Sequence, residues 1–152
     1  MLNDTLKVTG ELQITVFDQA TGAVKDARNV KNLVVAVGKT FIAASMLKTS
    51  SNSPAAMTHM ELGTGTTAAA SGDTALQTAI AGSRTTLSSA TSSANVVTYT
   101  ASFGAGVGTG AVTEAGIFNA ASAGTMLCHT VFSVVNKGAN DAMTITWAIT
   151  VS

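Results

Sequence analysis

The sequence predicts a mainly β protein: a single β-sandwich, jelly-roll-like domain with one buried α-helix at about 33–48. Three observations carry that expectation. Short runs rich in Val, Ile, Thr and Phe alternate apolar and polar residues, the period of a half-buried strand. Turn signals built on Gly, Asn, Asp and Ser separate the runs at about 8–12 residue spacing, as in sandwiches and barrels. Only Leu33–Lys48, LVVAVGKTFIAASMLK, is long and apolar enough for a helix, and its apolar residues spread round the whole circumference. A helix apolar nearly all round is a buried one.

Taken in order, residues 1–9 read as a flexible N-terminal arm and residues 10–152 as the sandwich domain. Leu6–Asp18 alternates cleanly, with Val8, Leu12, Ile14 and Val16 on one face; Gly10 marks a bulge or a close approach. Gln19–Ala23 turns the chain, with Gly22 free to take positive φ, into Val24–Val30 as the second arm of a hairpin. The helix starts either after Asn32 acting as a cap or beyond Gly38, with Leu33–Val37 extended. Thr49–Pro54 is a loop and Met57–Gly63 a strand. A long small-residue connection follows, in which Asp73 caps a helical turn through Thr74, Ala75 and Leu76. Arg84–Leu87 and Asn95–Phe103 pair across the link Ser88–Ala94. Gly104–Gly110 is a turn, and Ala111–Phe118, Thr125–Val135 and Met143–Val151 complete the strands.

Composition narrows the function classes. Of the 152 residues, 46% are hydrophobic and only 11% charged, against roughly 25% charged in an ordinary soluble domain. The surface is therefore built of Ser, Thr, Ala and Gly, and a surface with few charges is poorly protected against association. Eight basic and eight acidic residues cancel and are scattered, so the basic patch that nucleic-acid binding needs is missing. One cysteine, Cys128, excludes an internal disulfide framework and reads as a buried, inert thiol. The N-terminus lacks the pattern of a secretion signal, and no apolar run reaches the ~20 residues that span a bilayer. The expectation is a product made in the cytoplasm, with no membrane and no nucleic-acid partner.

The chemistry-bearing residues do not assemble into a catalytic, cofactor or metal site. Gly38-Lys39-Thr40 ends like a phosphate-binding loop, but Leu33 stands where that loop needs its first glycine. The runs Gly63–Gly65 and Gly104–Gly110 do not fit a dinucleotide fingerprint. Cys128 and His129 are strand neighbours and face opposite sides. His59 and Glu61 share a face and offer two metal ligands, with His129 as a third, but nothing else converges by sequence. Glu114, alone among small and apolar residues in TEAGIF, reads as an acceptor for backbone donors and hydroxyls rather than as a catalytic acid. Trp147 and Phe118 read as core.

Two passages carry a family resemblance. One is NLVVAVGKTFIAASML following the hairpin ITVFDQATGAVKDARNVK; the other is the pair MELGTGTTAAASGDTALQTAIAGSR and TGAVTEAGIFNAASAGTMLCHTVFS. Together they resemble a small family of tailed-bacteriophage virion proteins. The shared pattern is Gly63–Thr67, Asp73–Leu76, Arg84, Glu114–Phe118 and the final strands Thr125–Val151. No single motif is diagnostic; their order and spacing agree from about Ile14 onward. The resemblance implies a β-sandwich module of a phage particle: a capsid cement (decoration) protein on the virion surface. Such a protein binds the major capsid protein and neighbouring copies of itself as a homo-oligomer, and steadies the head against DNA pressure. The alternative is a neck, tail or tail-fibre-associated protein. The arm Met1–Thr9 and the loops Thr49–Ala56, Thr64–Gly82 and Gly104–Gly110 are the expected contact segments.

Overall fold

The structure, a computed structural model, describes residues 4–48, 51 and 53–152. Strands β1 (Val8–Asp18) and β2 (Val24–Val34) are followed by helix α1 (Ala36–Ser45). Then come β3 (His59–Gly63), β4 (Thr85–Thr86), β5 (Ser89–Ser93), β6 (Val96–Phe103), β7 (Gly110–Phe118), β8 (Met126–Lys137) and β9 (Asp141–Val151). The strands join in the order β4-β3-β7-β8-β2-β1-β9-β6-β5, and every pairing is antiparallel. The mainly β class predicted by the alternating runs is the class observed.

One sheet makes both halves of this sandwich-like fold because β2 changes partners along its length. Gly10–Phe17 pair with Val24–Asn32 in the β1–β2 hairpin, whereas Leu33 and Val34 pair with His129 and Cys128 of β8. The core lies between the halves. On one side Leu12, Ile14 and Val16 stand opposite Trp147, Ile145 and Met143, with Ala101 and Phe103 beyond. On the other side stand Met60, Leu62, Ala115, Ile117 and Cys128. Each cross-strand pair is the period-2 pattern of the sequence laid face to face.

Several expectations are corrected. The helix is shorter than residues 33–48 and is not a buried plug: Leu33 and Val34 belong to β2, and within α1 only Gly38 is buried. Phe41 and Ile42 pack on the core from one side while Ala36, Lys39, Thr40 and Ala43 face solvent, so the helix closes one end of the sandwich. Asn32 is no helix cap; it lies opposite Gly10, whose missing Cβ leaves room for the Asn32 side chain. Thr85–Thr86 pair with β3, and β6 pairs instead with β5, the segment expected to be a link. Of the expected arm, Val8 and Thr9 are paired in β1, and Lys7 exchanges backbone hydrogen bonds with Ser152. Residues 1–3 of that arm, and 49, 50 and 52 of the loop Thr49–Pro54, lie outside the described residues.

Candidate functional site

Glu114 is the centre of the most elaborate polar arrangement in the molecule. Alternation along β7 turns Ala115 and Ile117 into the core and Glu114, Gly116 and Phe118 to the opposite face. That outer face is covered in turn by residues 64–80, with Val35, Leu76, Phe118 and Met126 forming a second apolar cluster. Under this cover Glu114 is fully buried and its carboxylate accepts the backbone N–H groups of Gly65 (2.9 Å), Gln77 (3.0 Å) and Thr78 (2.7 Å). His129 of β8 stands alongside, with Nε2 2.9 Å from Glu114 Oε2 and Nδ1 2.7 Å from Asp73 Oδ2.

Electrostatics follow from this arrangement. Burial alone would raise the Glu114 carboxyl; the amides of Thr78 and Gln77, His129 and the Gly65 amide outweigh it and hold the group below its ordinary range. Asp73 is likewise held low, first by the Ala70 amide and then by His129. With a carboxylate oxygen facing each ring nitrogen, His129 links buried Glu114 to half-buried Asp73 in one polar chain.

The glycines of GTGTT are required by the same arrangement. A Cβ on Gly63 would come 2.5 Å from Glu114 Oε1 and 2.6 Å from the Thr78 carbonyl. One on Gly65 would come 2.6 Å from both Glu114 Oε1 and the Gln77 Cβ. Thr113 donates its hydroxyl to the Gly65 carbonyl at 2.7 Å, and Gln77 makes both of its amide hydrogen bonds to the backbone of Thr67. Asp73 starts no helical turn; its carboxylate is spent on Ala70 and His129. Arg84 closes the other side of the cover, with Nη2 2.8 Å from Glu61 Oε2 and Nη1 donating to the carbonyls of Ala120 and Ala123. Its guanidinium lies 3.6 Å from the Phe118 ring centroid.

The three residues considered as metal ligands are separated. His59 bonds the hydroxyls of Thr58 and Thr86, Glu61 pairs with Arg84, and His129 lies in the Glu114 chain. Among the described residues no group of three His, Cys, Asp or Glu side chains stands together as a ligand set. Cys128 is buried on the core face, and burial pushes its thiol well up from the ordinary range. Both ring nitrogens of His129 face carboxylates and Glu114 is fully buried, so the cluster ties residues 64–80 to the sheet. Sequence reasoning identified Glu114 as an acceptor but missed its partnership with His129 and Asp73. The only signal was parity: Glu114 and His129 fall on the same face once Gly116 is paired with His129.

The outer surface offers a different kind of site. Leu6, Met46 and Leu47 are among the most exposed large apolar side chains, at 68%, 77% and 62% exposure. Leu6, Val8, Ile42, Ala43 and Met46 line an apolar cleft of about 380 Å³ between residues 6–8 and α1, flanked by Lys7 and Lys39. Neither lysine is ion-paired among the described residues. A second cleft of about 400 Å³ separates α1 from β5 and β6, with Phe41, Pro54, Met57, Ala90, Ser92 and Tyr99 on its walls. No helix is long and apolar enough to cross a membrane among the described residues. Comparisons with family models, with curated proteins and with solved structures give no match.

Proposed function

We propose that this chain is a capsid cement protein of a tailed bacteriophage, seated on the major capsid protein lattice at the virion surface. The observation that carries the reading is the division of labour between motif and surface. Of the residues on which the resemblance rests, Gly63, Gly65, Asp73 and Glu114 fasten residues 64–80 to the sheet and Arg84 ties Glu61 to the carbonyls of Ala120 and Ala123, so they specify a scaffold. What remains for function is a charge-poor exterior with an apolar end around Leu6 and Met46. Exposed apolar side chains gathered at one place mark a surface that another protein covers. A hydroxyl-rich exterior packs against a protein lattice with little charge desolvation. Each contact need only be modest, because the lattice repeats it.

The experiment is the copy number and position of the chain on purified particles, with heat-induced DNA release from particles lacking it. Hundreds of copies over the head, and earlier DNA release without them, are expected. Met46→Glu should abolish binding to undecorated heads while leaving the melting temperature unchanged, because Met46 is exposed. A few copies at one vertex would instead make the chain a neck, tail or tail-fibre-associated protein and sink the cement reading.

A further inference from the structure

The two edges of the sheet are treated differently by the sequence. At one end β4 is two residues long, and shortness is one of the ordinary ways of guarding an edge. At the other end β5, Ser89-Ala90-Thr91-Ser92-Ser93, runs five residues with every residue exposed. It pairs with β6 without a bulge and carries no Lys, no Pro and no charge. The charge-free stretch is longer than the strand: between Arg84 and Glu114 there is no Asp, Glu, Lys or Arg. Among the described residues, none of the usual guards is present on this edge.

The hairpin fixes which backbone groups are free. Ala94 and Asn95 form a two-residue turn between Ser93 and Val96, so Ser93, Thr91 and Ser89 exchange hydrogen bonds with β6. The N–H and C=O groups of Ala90 and Ser92 therefore point out of the open edge. We infer that this edge pairs with the same edge of a second copy, antiparallel about a two-fold axis at Thr91, giving one continuous sheet through a homodimer. In that register Ala90 of each copy faces Ser92 of the other and the two residues exchange both backbone bonds, which uses all four free groups on each strand. Thr91 faces Thr91 as a non-hydrogen-bonded pair. A second copy is the occupant the charges favour: neither strand carries a charged side chain, so two identical edges pair without repulsion between them, and the chain has no net charge. The cleft bounded by Ala90, Ser92 and Tyr99, with Lys48 on its far wall, opens beside the edge.

A five-residue pairing is smaller than the ~1,200 Å² of a standard stable interface. The dimer is therefore expected to dissociate on dilution in free solution and to persist where copies are held close. The inference names the surface for the self-association expected of a cement protein, but it holds or fails on the purified protein without any particle. Analytical ultracentrifugation should show the mass rising from 15.2 kDa towards twice that value as concentration approaches about 1 mM. Ser92→Pro removes an outward donor and should keep the protein monomeric with its thermal midpoint unchanged. Thr91→Cys should give a covalent dimer on mild oxidation, because non-hydrogen-bonded partners lie ~4.5 Å apart at Cα, within disulfide reach. The exposed Ser102→Cys should not, and the buried native Cys128 adds no background. A strict monomer near 1 mM, a trimer, an oligomer that Ser92→Pro leaves intact, or equal crosslinking of the two cysteine variants would each overturn the inference.

Discussion

At the scale of single residues, the decisive group is Glu114, because its carboxylate satisfies three backbone N–H groups and faces His129 in a layer that water does not reach. Glu114→Ala should cost about 3–5 kcal/mol in urea unfolding, since it orphans those donors and a buried imidazole together. Glu114→Gln keeps the shape but replaces one accepting oxygen with a donor, and should cost less, about 1–3 kcal/mol. A loss below 1 kcal/mol for the alanine variant would show that the cover over the sheet does not depend on this carboxylate. The sequence made Glu114 legible as a structural acceptor, because a lone carboxylate among small apolar strand residues needs donors close by. It could not supply the donors. Gly65, Gln77 and Thr78 stand 36–49 residues away on an irregular segment, whose path no periodicity encodes.

The elements show where residue patterns and packing disagree. In α1, Gly38 lies so close to β8 that a Cβ would overlap the Leu127 carbonyl, a backbone atom that has little room to yield. Helix propensity alone predicts that Gly38→Ala stabilises by about 1 kcal/mol. The clash should reverse the sign, and thermal melting should show a net loss. In the β5–β6 turn the opposite substitution is favoured. Ala94 holds φ at 49°, a left-handed conformation that costs a non-glycine residue roughly 1–2 kcal/mol. Ala94→Gly removes that cost against a smaller loss of unfolded-state constraint, for a net gain of about 0.5–1 kcal/mol. Strand β5 escaped sequence reading for a physical reason: its inner residues Ala90 and Ser92 face a cleft instead of the core, so no apolar alternation marks it. The helix was misjudged for the complementary reason. Its apolar residues are spread around the axis because Phe41 and Ile42 meet the core, Val37 meets the outer cluster, and Met46 lies exposed beyond its end.

Over the whole molecule, strand parity revealed the fold class and most strand positions, while the order of strands followed from contacts that a linear pattern does not contain. The hairpin β1–β2 was legible from its turn; the switch of β2 to β8 was not, because it lies within a continuous strand. The carboxylates held by polar contacts also set how the fold should respond to pH. Glu114 and Asp73 tie residues 64–80 to the sheet, and Asp141 joins Lys25 at 2.5 Å and the Gly138 amide at 2.9 Å. All three carboxyls are held below their ordinary range, Asp141 mainly by Lys25. A depressed carboxyl contributes stability that is fully present above its unfolded pKa, near 4, and is lost as pH falls through its folded value. Alkali acts against the fold through buried Cys128 and half-buried Tyr99, whose raised values cost stability once the unfolded groups ionise, and through two lysines of opposite sign. Lys25 is raised by Asp141, so its contribution is lost at high pH, whereas Lys137 is lowered by burial and its penalty is relieved there. The urea midpoint should therefore fall steeply below about pH 5, with a shallower acid limb in Glu114→Gln. Stability maintained unchanged down to pH 3, or an acid limb of equal slope in that variant, would show that these carboxylates do not support the fold.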